Sequence, residues 1–203
     1  MHSTLRISLT AVLLVSLLAS CGTTPPSNYY ILRAHALPPS SSSSMSIGIG
    51  PIRVPEYLQT NVLATSQGGN RLDFVKENRW AEPLEAGINR VLSLNLAGLL
   101  QTQDVRSYPW NPRLPPDYAL KVQVLELEAT ATHANLVVEW VLLRATDETS
   151  VRRRISQFST ALDNTQAETI ASAYSELFYQ LSELTAATIR QVADETTAQK
   201  SSP

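Results

Sequence analysis

Apolar residues are most concentrated near the start of the chain, where positions 7–18 are interrupted only by Ser8, Thr10 and Ser16. A run of about twelve residues is too short to cross a hydrocarbon core of ~30 Å as a helix. A short basic lead at Arg6 followed by an apolar run of this length is typical of a secretory signal peptide. The sequence therefore predicts a signal peptide over residues 1–20.

The end of this run carries the pattern Leu18-Ala19-Ser20-Cys21, a leucine and two small residues before a cysteine. This register is that of a bacterial lipobox, in which the cysteine becomes the first residue of the mature protein. Cys21 is the only cysteine of the chain, so it cannot form an internal disulfide. The alternative is an ordinary signal peptide whose cleavage site Cys21 happens to follow. We expect a thioether-linked diacylglycerol and an acylated amine on Cys21, which together anchor the protein stably to a membrane.

Beyond Cys21 the pattern changes to short alternating segments. Residues 21–28 are polar and contain two prolines, which predicts a tether, and residues 29–192 predict one folded domain. The serine run over 40–44 is expected to be a solvated loop, and residues 67–70 to be a hairpin turn. Alternation with period two predicts strands over 29–32, 45–55, 57–65 (a turn running into a strand), 71–75, 105–108, 118–124, 135–144 and 151–162.

Two segments instead repeat apolar residues at helical spacing. Glu82-Pro83 opens the first, which ends near Gln101. The second runs from about Thr165 to Val192, and the polar residues 193–203 are expected to be disordered. The two apolar stripes are Leu84, Ile88, Val91, Leu92, Leu96 and Leu99, and Ile170, Tyr174, Leu177, Leu181, Leu184 and Thr188. Together the segments predict an α+β fold, a mostly antiparallel β-sheet with two amphipathic helices packed on it.

The strand predicted over 45–55 contains residues that disturb a regular ladder. Gly48 and Gly50 leave one face of the strand without side chains, and Pro51 has no N–H to donate. Glycine inside a strand often marks a bulge or a close approach by another backbone. We therefore expect a bulge or an edge near Pro51.

Composition and charge narrow the class of partner. The chain has 16 Lys and Arg residues against 18 Asp and Glu residues, a net charge of −2, so nucleic acid is not an expected partner. After the signal peptide no apolar stretch approaches twenty residues, so no second membrane crossing is expected.

Residues able to carry out chemistry are scattered along the chain. His35 and His133 lie outside any motif, and no zinc-protease, nucleophile-elbow or phosphate-loop pattern is present. We therefore expect no cofactor, no metal and no enzymatic activity. The basic run over 152–154 is interpreted as protection of a strand edge, with binding of acidic lipid headgroups or an acidic partner as the alternative.

Three stretches follow in order behind the lipobox and a Tyr-Tyr strand: residues 47–58 (IGIGPIRVPEYL), 79–84 (RWAEPL) and 108–110 (YPW). As an ordered set they resemble the PqiC (YmbA) lipoproteins, auxiliary lipoprotein components of ABC-type transport systems, over about residues 29–190. The resemblance implies a non-catalytic, periplasm-facing lipoprotein that docks a periplasm-spanning MCE-domain protein at the outer membrane. An integral inner-membrane protein completes such systems, which are associated with lipid movement between membranes and envelope integrity. Gly22 is compatible with delivery to the outer membrane.

The same motifs supply candidate contact residues for the partner: Tyr57, Arg79, Trp80, Glu82 and Trp110. Trp80 is expected to cover the first turn of the helix that follows, where Arg79 and Glu82 pair or cap locally. Tyr57 and Trp110 lie on predicted loops, where aromatic residues often dominate interfaces. For each residue the alternative is ordinary core packing. Because partners of this kind form rings, a matching homo-oligomer is also expected.

Two other functions stay open at this point. One is a structural outer-membrane lipoprotein that chaperones or plugs a β-barrel without any transporter. The other is a periplasmic enzyme, which the missing catalytic constellation disfavours.

Overall fold

A computed structural model describes residues 26–40, 43–66, 70–147 and 149–201. The predicted signal peptide over 1–20, Cys21 with most of the tether, part of the serine run and the tip of the predicted hairpin turn lie outside the described residues.

Strands and helices follow one another much as the alternation predicts. In chain order they are β1 (Asn28–Tyr30), β2 (Ile47–Arg53), a 3₁₀ turn (Glu56–Leu58), β3 (Val62–Ser66), β4 (Leu72–Trp80), α1 (Leu84–Leu100), β5 (Val105–Ser107), β6 (Tyr118–Ala129), β7 (His133–Arg144), β8 (Thr149–Ala161) and α2 (Ala167–Ser201).

The larger sheet has five strands in the order β5-β2-β6-β7-β8. Alternate residues of its central strands are buried, among them Leu120, Val122, Val124, Leu136, Val138 and Trp140. The two helices cover this face: α1 contacts β2 and β5, α2 contacts β7 and β8, and the helices pack on each other. The core therefore lies between one face of the sheet and the helix pair.

The predicted α+β class is confirmed, and β6, β7 and β8 form the expected antiparallel meander. The direction of β2 differs from a simple meander, since β2 is parallel to both β5 and β6. Parallel neighbours need a long crossover connection, and α1 lies in the connection from β2 to β5. Alternation reports which residues face the core, but it carries no information on strand direction.

The irregularity expected in β2 is confirmed. The register between β2 and β6 shifts between Ile49 and Ile52, which brackets Pro51. Since proline cannot donate a ladder hydrogen bond, the strand bends out of register at this residue.

The smaller sheet has the order β1-β4-β3, with β1 parallel to β4 and β3 antiparallel to it. The predicted hairpin is thus confirmed, but its second strand continues to Trp80 rather than ending at Val75. Arg79 and Trp80 are therefore strand residues, paired with Tyr29 and Tyr30 of β1.

The second helix is longer than predicted. It continues to Ser201, so the expectation of disorder is wrong for residues 193–201. Polar residues of good helix propensity can extend a helix without burying apolar surface, so polarity alone did not indicate disorder. The apolar stripe also differs at its end, because Leu184 is 37% exposed while Ile189 is buried. Within the described residues, neither helix is apolar over a length that would cross a membrane.

Residues 31–40, which we call the strap, run across both helices between β1 and β2. Leu32 of the strap is buried in the core. The backbone N–H of Arg33 donates to Ser175 Oγ of α2 at 3.0 Å. The N–H groups of His35 and Ala36 donate to Asn95 Oδ1 of α1 at 2.9 and 3.1 Å. The strap is therefore bonded to both helices.

Candidate functional site

Two of the three sequence motifs meet where the loop after β5 lies against β2. The ring of Trp110 packs over Gly48, and a Cβ added there would lie 2.7 Å from Cζ3 of Trp110 and 2.8 Å from Cγ of Pro116. The Tyr108 ring meets the Trp110 ring edge-on, with centroids 5.4 Å apart and planes at 84°. The bare face of β2 is thus covered by the side chains of Trp110 and Pro116 rather than by another backbone.

Beside this contact lies an open cleft of about 810 Å³ between the bulge of β2 and the outward side of α1. Its walls include Pro51, Ile52, Asn89, Ser93 and Tyr108. Asn89 ties the two sides together, since its Nδ2 donates to the Ile49 carbonyl at 3.4 Å. The Asn89 Oδ1 accepts a hydrogen bond from the Ser107 hydroxyl at 2.8 Å.

The residues after Tyr108 form a proline-rich segment, 108–116, which we call the aromatic loop. Tyr108 is 54% exposed and Leu114 is 64% exposed, whereas Trp110 is half-buried. The loop is held at its base, because Arg106 donates to the Leu114 carbonyl at 2.7 Å. Exposed apolar side chains on a braced loop can serve as a contact surface for another protein.

The predicted pairing of Arg79 with Glu82 is wrong. Glu82 instead accepts hydrogen bonds from Arg90 of α1, at 3.2 Å from Nε and 2.5 Å from the terminal nitrogen. The same guanidinium donates to the Leu32 carbonyl of the strap at 2.9 Å. Arg90 lies on α1, eight residues after Glu82, and the fold brings the two side chains together.

Tyr57 and Trp80 take internal positions. Trp80 is 5% exposed and stacks on Tyr174 of α2, with ring centroids 6.2 Å apart. The hydroxyl of Tyr57 accepts the N–H of Leu127 at 3.2 Å, and burial raises the pKa of this phenol. Burial also raises the pKa of Tyr174. These contacts correspond to the core-packing alternative, and among the aromatic residues of the motifs it is Tyr108 that is most exposed, next to the half-buried Trp110.

Asn95 is a buried polar residue whose role was not predicted from the sequence. It is fully buried on α1, where its Oδ1 accepts the two strap N–H groups. Its Nδ2 donates to Ser182 Oγ of α2 at 3.3 Å. Asn95 lies four residues after Val91 and three after Leu92, so its register on the apolar stripe was a signal that could have identified it.

His35 and His133 have different neighbours. His35 Nδ1 is 3.2 Å from Glu176 Oε2, and the His35 ring lies 5.2 Å from the ring of Tyr179. His133 contacts the Thr132 hydroxyl at the β6–β7 turn. Across the described ranges, no group of three or more His, Cys, Asp or Glu side chains is arranged to hold a metal ion.

The basic run lies on β8, an edge strand of the larger sheet. Arg153 pairs with Glu139 of β7 at 2.5 Å, and Arg152 pairs with Glu195 of α2 at 3.4 Å. Charged side chains along an edge strand discourage pairing with another chain, which supports the interpretation as edge protection.

A protein-family model described as "ABC-type transport auxiliary lipoprotein component" matches residues 30–186. No curated protein matches the sequence. Among solved structures, protein XCC0632 from Xanthomonas campestris superposes with a TM-score of 0.70 at 13% identity, covering 85% of this chain and 99% of its own. An uncharacterized protein superposes with a TM-score of 0.68 at 19% identity, covering 81% of this chain and 99% of its own. At these identities the two structures show a shared fold.

Proposed function

Because this chain belongs to the family of ABC-type transport auxiliary lipoprotein components, we propose that it is a non-catalytic docking subunit of an MCE-type lipid transport system. In this proposal acyl chains on Cys21 fix the domain to the periplasmic side of the outer membrane. The folded domain then holds the distal end of a periplasm-spanning MCE-domain protein, whose inner-membrane partner completes the system.

The family match carries the proposal. It runs from β1 into α2 and so includes both sheets, α1 and the aromatic loop. The ordered motifs behind the lipobox support the narrower assignment to an MCE system, because they resemble PqiC over nearly the whole mature domain.

The aromatic loop is the surface that we assign to the partner. Tyr108 and Leu114 present apolar side chains to solvent, and Trp110 fixes the loop against β2 through its contact with Gly48. A braced loop loses little conformational freedom when a partner binds, which favours affinity. Aromatic residues at the centre of such a patch often contribute most of the binding energy.

A pull-down of the mature domain with the MCE-domain protein encoded beside it tests the docking role. We expect capture by the native domain and a loss of about tenfold or more with the double variant Tyr108→Ser/Leu114→Ser. Ile155→Ser is a matched control, since Ile155 is 66% exposed on β8, away from the loop. A folded native domain that captures no MCE-domain protein would contradict the assignment.

The anchor needs its own test. In cells, Cys21→Ala is expected to leave the domain folded but to release it from the membrane fraction into the soluble periplasm. Density-gradient separation of inner and outer membranes should place the native protein in the outer membrane. Mass spectrometry of the native amino terminus would exclude the anchor if it found an unmodified thiol.

A homo-oligomer that matches a ring-shaped partner is part of the proposal. Light scattering of the mature domain should give a mass several times that of the protomer. A domain that is monomeric at all concentrations would remove this element.

A further inference from the structure

The strap exposes alternate residues in a regular pattern. Tyr29, which precedes the strap in β1, is 66% exposed, and within the strap Ile31 is 38% and Leu37 is 84% exposed. Arg33 and His35, at the odd positions between them, are also exposed, while Leu32 faces the core. Alternation in extended backbone places Tyr29, Ile31 and Arg33 on one side, and Leu37 is exposed after the bends at His35 and Ala36. The segment therefore presents a tyrosine, two large aliphatic side chains and an arginine to solvent.

This outward row is fixed by the fold. The strap N–H groups are bonded to Ser175 and Asn95, and Gln103 Nε2 donates to the Pro39 carbonyl at 3.0 Å. The strap also lies close against α1, since a Cβ at Gly98 would lie 2.4 Å from the Leu37 carbonyl oxygen. Leu37 is thus held in an exposed position by the backbone around it.

The row follows directly after the tether. Tyr29 lies eight residues after Cys21, so a fully extended tether reaches at most about 29 Å. If Cys21 carries acyl chains, β1 cannot leave the neighbourhood of the bilayer. Tyrosine is enriched at the level of lipid headgroups, aliphatic side chains enter the acyl boundary, and arginine can bind phosphate while its stem stays apolar.

We propose that the row formed by Tyr29, Ile31, Arg33 and Leu37 is a membrane-contact surface that rests on the phospholipid bilayer holding the Cys21 anchor. This inference rests on the anchor of the proposed function and is independent of the transport partner. Contact along the row would fix the orientation of the domain, since two helices are tied to the strap through Asn95 and Ser175.

Charge at this surface is close to balanced. Arg33 and Glu168 both line a cleft of about 590 Å³ beside the row, and His35 pairs with Glu176. Apolar contact rather than attraction to anionic lipid therefore provides most of the affinity, and binding is expected to depend weakly on salt.

Single introduced cysteines test the contact in the full lipidated protein. Because Cys21 is the only native cysteine and its sulfur would be bound in a thioether to diacylglycerol, an added cysteine is the only free thiol. We would label Tyr29→Cys and Leu37→Cys with an environment-sensitive fluorophore and reconstitute them in phosphatidylethanolamine–phosphatidylglycerol vesicles. Brominated acyl chains should quench both labels. Ile155→Cys and Leu114→Cys, which replace residues of similar exposure, should remain unquenched.

A longer tether distinguishes direct contact of the row with lipid from proximity that a short tether imposes. Inserting a Gly-Ser segment of eight residues after Gly22 should leave the quenching at position 37 unchanged if the row itself binds lipid. Quenching that disappears with the longer tether, or that is equal at position 155, would overturn the proposal. A blue shift in detergent that grows with protein concentration would also overturn it, since the row would then contact a second copy.

Mass spectrometry distinguishes failure of the anchor from failure of the contact surface. An unacylated Cys21 would contradict the anchor itself, whereas acylated protein with unquenched labels would contradict only the contact surface.

Substitution gives a second measurement. In a mature Cys21→Ser chain, the triple variant Tyr29→Ser/Ile31→Ser/Leu37→Ser should reduce flotation with the same vesicles by about tenfold. The pair Leu114→Ser/Ile155→Ser should not change it. Equal flotation of both variants would contradict the proposal.

Discussion

The strap and the centre of the five-stranded sheet are held in place by different forces. Strands β6 and β7 are paired along their length, and Leu136, Val138 and Trp140 of β7 are fully buried. The strap instead buries one large side chain, Leu32, and depends on hydrogen bonds to polar side chains of the helices. Apolar burial contributes about 25 cal/mol per Å² removed from water, whereas one hydrogen bond contributes about 1 kcal/mol net.

The residues that stabilise the domain are therefore different from those that the strap exposes. The sheet supplies the free energy that keeps the domain folded, and the strap can expose large apolar residues because it contributes little to that total. Regions with few buried apolar contacts open locally before the whole domain unfolds. Changes in the sheet should therefore lower the stability of the whole domain, and changes beneath the strap should affect the strap more than the sheet.

The largest effect is expected from Trp140→Ala. Trp140 has no exposed surface, and its Nε1 donates to Ser156 Oγ at 3.0 Å. Removing the indole leaves a cavity and an unpartnered hydroxyl, which should lower the free energy of unfolding by about 3–5 kcal/mol. Urea denaturation measures this change. Ile155→Ala on the exposed side of β8 is the control and should stay within about 0.5 kcal/mol of the native value.

A smaller effect is expected from Asn95→Ala, which removes the acceptor of two strap N–H groups. The global free energy of unfolding should fall by about 1–3 kcal/mol. Amide exchange at residues 33–37 should rise much more than exchange in β6 and β7. Asn89→Ala on the same helix is the control, since Asn89 bonds to Ile49 and Ser107 and should leave strap exchange unchanged. A uniform rise in exchange would show that the two regions are not separate.

Gly98→Ala should show the clearest difference between global stability and the local stability of the strap. Alanine stabilises a helix interior by roughly 0.5–1 kcal/mol relative to glycine, but its Cβ would clash with the Leu37 carbonyl. We expect nearly unchanged global stability together with faster amide exchange in the strap. Gly87→Ala is the comparison, because its Cβ would lie 3.3 Å from Glu82 Oε1 and 3.6 Å from Leu32 Cδ1, which is less close than the contact at Gly98 and should disturb strap exchange less. Unchanged strap exchange in Gly98→Ala would contradict the close approach.

The smallest effect concerns pH and lies outside both regions. A hydrogen bond from Arg106 holds the pKa of Asp104 below its usual value. A depressed pKa stabilises the fold above the unfolded pKa, and this stabilisation is lost as pH falls through the folded value. Stability should thus drop slightly between pH 5 and about pH 2. Arg106→Gln should reduce this drop in thermal melts, and a drop of unchanged size would exclude the pair as its source.

Much of the fold could be predicted because side-chain pattern reports burial directly. The alternation in β6 and β7 and the apolar stripes of both helices gave the correct elements, and Pro51 gave the correct bulge. The parallel direction of β2 could not be predicted, since a strand buries the same residues whichever way its neighbour runs. The pairing of Glu82 with Arg90 likewise depends on the helix that brings the two together.

The sequence indicated some residues of the candidate site but not their contacts. Trp110 and Gly48 belong to recognisable motifs, yet their contact joins segments more than fifty residues apart along the chain. Trp80 was recognisable as an aromatic residue of a motif, but its burial against Tyr174 depends on where α2 packs. The role of Asn95 was not predicted, because a polar residue within an apolar stripe looks like a break in that stripe unless its hydrogen-bond partners are known.

The sequence by itself determined the α+β class and most of the residues that face the core, because these depend on local order and on the periodicity of apolar side chains. It also carries the pattern at Cys21 that predicts an anchor. The tertiary structure alone decided which motif residues are buried, that a strap ties the two helices together, and which strap residues are exposed. Those properties arise from contacts between segments distant in the chain, and such contacts leave no trace in the local pattern of either segment.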